Sequence, residues 1–347
     1  MDQSLALSGT ITLRESAKRN RSMTKSKIAI IGLGLIGNSI GLGLGKESRD
    51  FEIVGHDKDS AAASLSKKLK AVDKTEWNLI SACSSADLVI LALPAAAIRD
   101  TLKAVAGELK PGAIVLDTAS IKAPVQAWAS ELLPDTVLFV GTNPVFIVDA
   151  AGGAAARVDL FQKATWAICA SPATAERAVK MAADLAERLG AQPLFLEALE
   201  HDSMLAAVDQ LPAVISMALL TAMVSQPSWR ETRRLAAGQF ESTTRLVSAD
   251  PHIFGDAVLA NREQVTGWID TFIDAMASWR EVIASGDEEA IGQGFRSAMD
   301  ERERWLRDRR NGRWEETDPL ATSPSNPISR IFLGRLAERG QKGKSKK

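Results

Sequence analysis

The stretch Ile28-Ala29-Ile30-Ile31-Gly32-Leu33-Gly34-Leu35-Ile36-Gly37-Asn38-Ser39-Ile40-Gly41 decides the fold. Its opening run of apolar and β-branched residues reads as a buried parallel strand. The run stops at three glycines spaced G-x-G-x-x-G and continues as an apolar helix. Gly32 permits the tight turn from strand to helix, Gly34 leaves the backbone open to a close-lying group, and Gly37 lets the helix pack against the sheet. The free N–H groups of the helix start, at Leu35 and Ile36, carry a partial positive charge that suits a diphosphate.

The next segment agrees. A strand over 51–55 ends at His56-Asp57, and Asp57 falls twenty positions after Gly37. A carboxylate there accepts hydrogen bonds from an adenosine ribose and repels a 2′-phosphate, so NAD is expected over NADP, although Lys58 stands beside it. A glycine turn without a ligand would not need strand, glycines, helix, second strand and acid in register.

Composition narrows the class. The chain has 347 residues, enough for two domains, and a net charge of -1, which offers no basic excess for nucleic acid. No membrane span is expected from its apolar runs. Cys83 and Cys169 are the only cysteines, and they sit in apolar, strand-like surroundings, so a disulfide framework is excluded and a reducing cytoplasm fits. His56, His201 and His252 lack ligand spacing, so no metal is expected. The polar segment 1–24 lacks the apolar core of a secretory signal and reads as a disordered leader, with Met23 as an alternative start. The Lys- and Gly-rich end over 340–347 reads as a solvated tail.

Further strands are expected over 86–94, 113–120, 137–141, 165–169 and 193–196, with helices over 61–71, 95–109, 124–133 and 173–189 between them. This alternation predicts a doubly wound, Rossmann-type parallel α/β sheet over 25–197, with ligands at the carboxyl ends of its strands. From residue 198 to about 335 the pattern is helical. A helix over 203–224, broken at Pro212, is apolar nearly all round and must be buried, in a dimer interface or in the core of a monomer. Helices are also expected over 230–238, 251–284 and 288–309.

Laid out this way, the chain resembles the prephenate/arogenate dehydrogenase family from Lys27 to about residue 303. The resemblance rests on the glycine loop, on Asp57, on Leu91-Ala92-Leu93-Pro94, on Asp117-Thr118-Ala119-Ser120-Ile121-Lys122 and on Gly141-Thr142-Asn143-Pro144. It continues in His201-Asp202, Leu211-Pro212, Gly238-Gln239-Phe240-Glu241-Ser242-Thr243-Thr244-Arg245, Ser248-Ala249-Asp250-Pro251 and Asn261. It implies a nucleotide domain, an all-α dimerisation domain, an active site in the cleft between them, a homodimer, and a cytoplasmic enzyme of tyrosine biosynthesis. It also implies hydride transfer from a ring carbinol of a small anionic substrate to NAD, followed by loss of CO₂. Such chemistry calls for a nicotinamide held face-on, a base for the hydroxyl proton, and cations for the carboxylates. Leu93, Pro94 and Ser120 join the cofactor residues. Ser120 also reaches the reacting hydroxyl.

The departures from the family pattern lie in the pocket. The family's catalytic histidine stands directly before a proline, and here Asn143 stands before Pro144. An amide donates and accepts hydrogen bonds but takes no proton near neutral pH. The following loop, 145–156, is small and apolar. Where the family commonly has Ser-His-Leu-Pro-His, this chain has Asp209-Gln210-Leu211-Pro212-Ala213, which brings Asp209 and Gln210 into the site. Asp209 either faces the cleft, favouring an amino or hydroxyl group there, or pairs with another helix. Lys122 is either the cation and base of the cleft floor or a structural partner of Asp117 or a helix end. Arg245 is either a bidentate carboxylate clamp or a helix cap. His201 either contacts substrate or makes a structural hydrogen bond. Three readings stay open: a dehydrogenase with an unusual proton acceptor, an oxidoreductase for a different anionic hydroxy or amino substrate, and a non-catalytic NAD-binding protein.

Overall fold

The computed structural model of the chain describes residues 25–45, 51–147, 152–248, 251–312 and 314. The expected leader, the expected tail, the last part of the helical region and positions 148–151 and 249–250 of the quoted motifs lie outside the described residues.

One eight-stranded sheet holds β1 (Ser26–Ile31), β2 (Phe51–His56), β3 (Lys74–Thr75), β4 (Leu88–Leu91), β5 (Ile114–Asp117), β6 (Leu138–Val145), β7 (Thr165–Cys169) and β8 (Gln192–Phe195). Their order is β3-β2-β1-β4-β5-β6-β7-β8. The first six strands are parallel, as expected. β7 then runs antiparallel to β6, and β8 parallel to β7. The reason is the connection: between β6 and β7 the described chain makes a 3₁₀ turn (Gly153–Ala155) but no crossover helix, so it returns in the opposite direction.

Helices α1 (Leu35–Gly45), α2 (Ser60–Leu69), α3 (Leu79–Cys83), α4 (Ala95–Val105), α5 (Ala123–Leu132) and α6 (Glu176–Arg188) cover both faces. Along β1 the side chains alternate. Ile28 and Ile30 join Leu116, Val140 and Trp166 on one face, while Ala29 and Ile31 join Val89, Leu91 and Val115 on the other. Burial on both faces explains why these strands read as unbroken apolar runs. The short β3 and α3 carry too few residues for a periodic signal.

The helical part comprises α7 (Ala198–Leu205), a π-helical turn (Ala206–Gln210), α8 (Leu211–Val224), α9 (Trp229–Thr232), α10 (Gly238–Thr244), a 3₁₀ turn (Arg245–Ser248), α11 (Pro251–Ala260), α12 (Arg262–Ser285) and α13 (Glu288–Asn311). Pro212 does not break the long helix, which runs from Ala198 to Val224. The ring removes one N–H and crowds the carbonyl four residues back, and the turn before it widens by one residue instead of ending. The expected helix over 251–284 divides at Asn261, whose backbone is non-helical (φ -112°, ψ 22°). The helix expected over 230–238 is confined to the single turn of α9.

Two expectations for the long helix need correction. Ala198–Val224 is, by length and composition alone, long and apolar enough to cross a membrane. Nor is α8 enclosed, because only Leu211, Ala213 and Ser216 of it are buried, while Met217 and Val224 are half exposed. An apolar face therefore lies open on the single chain.

The two parts of the chain meet at the carboxyl ends of the central strands. α7 packs on α5 and β7, and α11 packs on α4. Both carboxylate oxygens of Asp202, on α7, accept backbone N–H groups at the start of α5, from Lys122 at 2.6 Å and Ala123 at 2.8 Å. A charge placed at a helix N-terminus in this way ties the helical part to the sheet at a defined point.

Candidate active site

The glycine loop is shaped by close backbone approaches. Gly32 has φ +94°, and a Cβ on it would lie 2.2 Å from the carbonyl oxygen of Ala92, just past β4. A Cβ on Gly37 would lie 2.0 Å from the carbonyl oxygen of Gly32. Gly34 is different: nothing lies within 4 Å of a Cβ there, so its flank is open. The N–H of Leu33 donates to Asp57 Oδ2 at 2.7 Å, and that of Asp59 donates to Oδ1 at 2.9 Å, which fixes the carboxylate beside the loop. Leu35 and Ile36 open α1, and half-buried Leu93 lies against Gly32, with exposed Pro94 leading into α4.

The loop after β5 holds a sealed ion pair. Lys122 is 1% exposed, and its ammonium donates to Asp117 Oδ2 and, at 2.7 Å, to the carbonyl of Thr142. Burial pushes the Asp117 carboxyl up, while Lys122 and the N–H groups of Ala119 and Thr142 pull it down. Lys122 is therefore not the cation of the cleft floor; its charge ties β5 to β6. Ser120, on the same loop, is half-buried, and its hydroxyl has no partner among the described residues.

Beside this pair, Asn143 on β6 is 6% exposed, and its Nδ2 lies 3.1 Å from Nε2 of His201. His201 is fully buried, and its Nδ1 lies 2.9 Å from Asp202 Oδ1. A carboxylate bonded this way only accepts, so Nδ1 carries the proton and, in the neutral ring, Nε2 accepts from the Asn143 amide. Asn143 Oδ1 has no partner among the described residues. Nearby on β7, burial pushes the Cys169 thiol up to about 12.

A second branch starts from the same helix. Asn261 Nδ2 donates to the backbone carbonyl of Asp202 at 2.8 Å and to Gln210 Oε1 at 2.9 Å. Gln210 is 1% exposed, and its Nε2 is buried without a partner among the described residues. Its neighbour Asp209 is exposed on the π turn and forms no ion pair among the described residues, yet surrounding protein pushes its carboxyl up. Arg245 begins the 3₁₀ turn after α10, exposed and unpaired among the described residues. Ser216 Oγ, donating to the Thr243 carbonyl at 2.5 Å, holds the end of α10 against α8.

This arrangement was compared with known proteins. Residues 40–194 match the nucleotide-binding domain of prephenate dehydrogenase, and residues 197–299 match its dimerization domain. The chain is 30% identical over 285 residues to the prephenate dehydrogenase of Lactococcus lactis, covering 79% of this chain and 77% of that one. It is also 30% identical over 275 residues to the cyclohexadienyl dehydrogenase of Zymomonas mobilis, covering 78% and 93%. Among solved structures, Aquifex aeolicus prephenate dehydrogenase with hydroxyphenyl propionate and NAD+ superposes with a TM-score of 0.74 at 22% identity, over 82% of this chain and 99% of that one, which speaks for the fold. The chain belongs to the prephenate/arogenate dehydrogenase family. It is an NAD-dependent oxidoreductase.

The residues of this prephenate dehydrogenase relative fit that cofactor. The open flank of Gly34 and the unpaired N–H groups at the start of α1 suit a diphosphate, and the fixed carboxylate of Asp57 suits ribose hydroxyls. Sequence reasoning did not foresee how His201, Asp202 and Asn261 join the site. The family motifs contain all three, but their linkage depends on contacts across 58 and 59 positions of chain, and no local spacing announces those.

Proposed function

We propose that this enzyme oxidises a cyclohexadienol carboxylate of the prephenate/arogenate kind, with NAD accepting the hydride as the ring loses CO₂. The supporting observation is Asn143. Where the family has an imidazole there is an amide whose oxygen accepts a hydrogen bond but takes no proton.

Proton accounting then separates the possible substrates. When an ordinary secondary alcohol becomes a ketone, the C–H pair leaves as hydride and the O–H proton must go to a base. In a ring bearing a carboxylate opposite the carbinol, the hydride leaves with its pair and the bond to the carboxylate breaks to release CO₂. The pair from that bond makes the ring aromatic, and the oxygen keeps its proton as a phenol. The second reaction therefore does not require the base that the resemblance implies, whereas the first leaves a proton with no acceptor. Neither candidate base competes: Lys122 is sealed against Asp117, and Asp209 lies on the exposed side of its turn.

In this reading Gly32, Gly34, Leu35, Ile36, Gly37, Asp57, Leu93 and Pro94 hold NAD. Ser120 binds the reacting hydroxyl or the nicotinamide amide, Gln210 donates its unused Nε2–H to a substrate oxygen, and Arg245 clamps a carboxylate. The protein works as a cytoplasmic homodimer in tyrosine biosynthesis, with domains over 25–197 and 198–335; the match to a dimerization domain and the open apolar face of α8 support the dimer.

The test is NADH formation, followed by nicotinamide absorbance, with prephenate, arogenate and simple 2-hydroxy acids as substrates. The expected result is turnover of the two ring compounds and none of the hydroxy acids. Oxidation of a 2-hydroxy acid alone, or NAD binding without turnover of any of them, overturns the proposal.

A further inference from the structure

The Asn143–His201–Asp202 chain does more than fill space, and an inference about it rests on the function just proposed. We propose that His201, held by Asp202, is a positioning residue that turns the Asn143 amide so its oxygen, not its NH₂, faces the substrate hydroxyl.

Hydrogen-bond polarity fixes the orientation of the amide. Asp202 accepts on both oxygens and has no proton to give: Oδ1 takes the Lys122 N–H and the His201 ring, and Oδ2 takes the Ala123 N–H. The proton of a neutral His201 is thus on Nδ1, and Nε2 offers only a lone pair. An Asn143 oxygen turned toward Nε2 would set two acceptors against each other in a buried place and leave both without a hydrogen bond. The NH₂ therefore faces His201, and Oδ1 is left without a protein partner. It is an acceptor for an O–H that the reaction leaves intact.

Two variants and one spectrum test the idea. His201→Gln places an amide oxygen where Nε2 was, so it should keep kcat within about threefold. His201→Met offers no comparable acceptor; it should lower kcat by about 10²-fold, the scale of losing one aligned group, with the Kd for NAD unchanged. In protein labelled with ¹⁵N at histidine and asparagine, the parent should show His201 protonated on Nδ1 and one hydrogen-bonded, exchange-protected Asn143 side-chain proton. That protection should disappear in His201→Met. A ring protonated on Nε2 at the pH of maximal turnover, or a His201→Met kcat equal to the parent's, overturns the lock. The spectrum reads the lock whether or not prephenate or arogenate is turned over, so failure of the lock and failure of the proposed reaction are told apart.

Discussion

At the scale of the residue, the site as we propose it works by polarity rather than basicity. The Asn143 amide lies against His201, and Gln210 keeps a donor left over from its bond with Asn261. Replacing Asn143 with Leu removes the acceptor, so kcat for the ring substrate should fall about 10²-fold while NAD affinity stays as it was; equal kcat values in the two proteins would contradict the role given to the amide. Gln210→Glu exchanges the buried donor for an acceptor and should raise KM for the substrate at least tenfold, and an unchanged KM would remove Gln210 from the site. The two cysteines are a contrasting case. Burial pushes both thiols up to about 12, so at pH 8 the thiolate fraction is on the order of 10⁻⁴, against roughly a quarter for an ordinary thiol. Native protein should resist thiol reagents until unfolded; rapid labelling of either cysteine in the native state would contradict that burial.

Part of this was legible in residue identity. Asn143 stands before Pro144, where the resemblance implies a histidine, and the pairing of Lys122 with Asp117 was one of two readings the local sequence allowed. Only the fold chose between them, because the choice depends on whether β6 covers the lysine. The role of His201 was not legible, since it arises from a contact between β6 and α7.

At the scale of the element, the glycine loop separates fold from binding. A Cβ on Gly37 would strike the Gly32 carbonyl at 2.0 Å, backbone against backbone. Gly37→Ala should therefore destabilise by about 1–3 kcal/mol, read as a Tm lower by several degrees, and weaken NAD binding with it. Gly34→Ala meets open space. It should leave the Tm of the ligand-free protein unchanged and weaken NAD alone, measured by calorimetry. A reversed pattern, with Gly34→Ala unstable and Gly37→Ala neutral, would contradict the geometry. The strands of the sheet were legible because burial on both faces writes an apolar run. The reversal of β7 was not, because direction depends on what connects two strands rather than on the strands themselves. The π turn was read as a break at Pro212, since a proline signals the lost N–H but not the widening of the turn that absorbs it.

At the scale of the whole molecule, the open apolar face of the long helix and the cleft belong to one account. Exposed Met217 and Val224 on α8, with Ile273 and Met276 on α12, leave more apolar surface than a lone chain ordinarily shows to water. The protein should sediment as a dimer, and Met217→Glu should shift it toward monomer; a parent that sediments as a monomer at micromolar concentration would contradict the assignment of that face.

The central claim is that this site couples hydride transfer to the loss of CO₂, with an amide and no base at position 143. The measurement closest to it is the yield of CO₂ against NADH from prephenate or arogenate, taken across pH 6 to pH 9. The account predicts one CO₂ for each NADH at every pH. NADH formed without CO₂ would mean that an ordinary alcohol oxidation, with a base still to be found, is the true chemistry of this site.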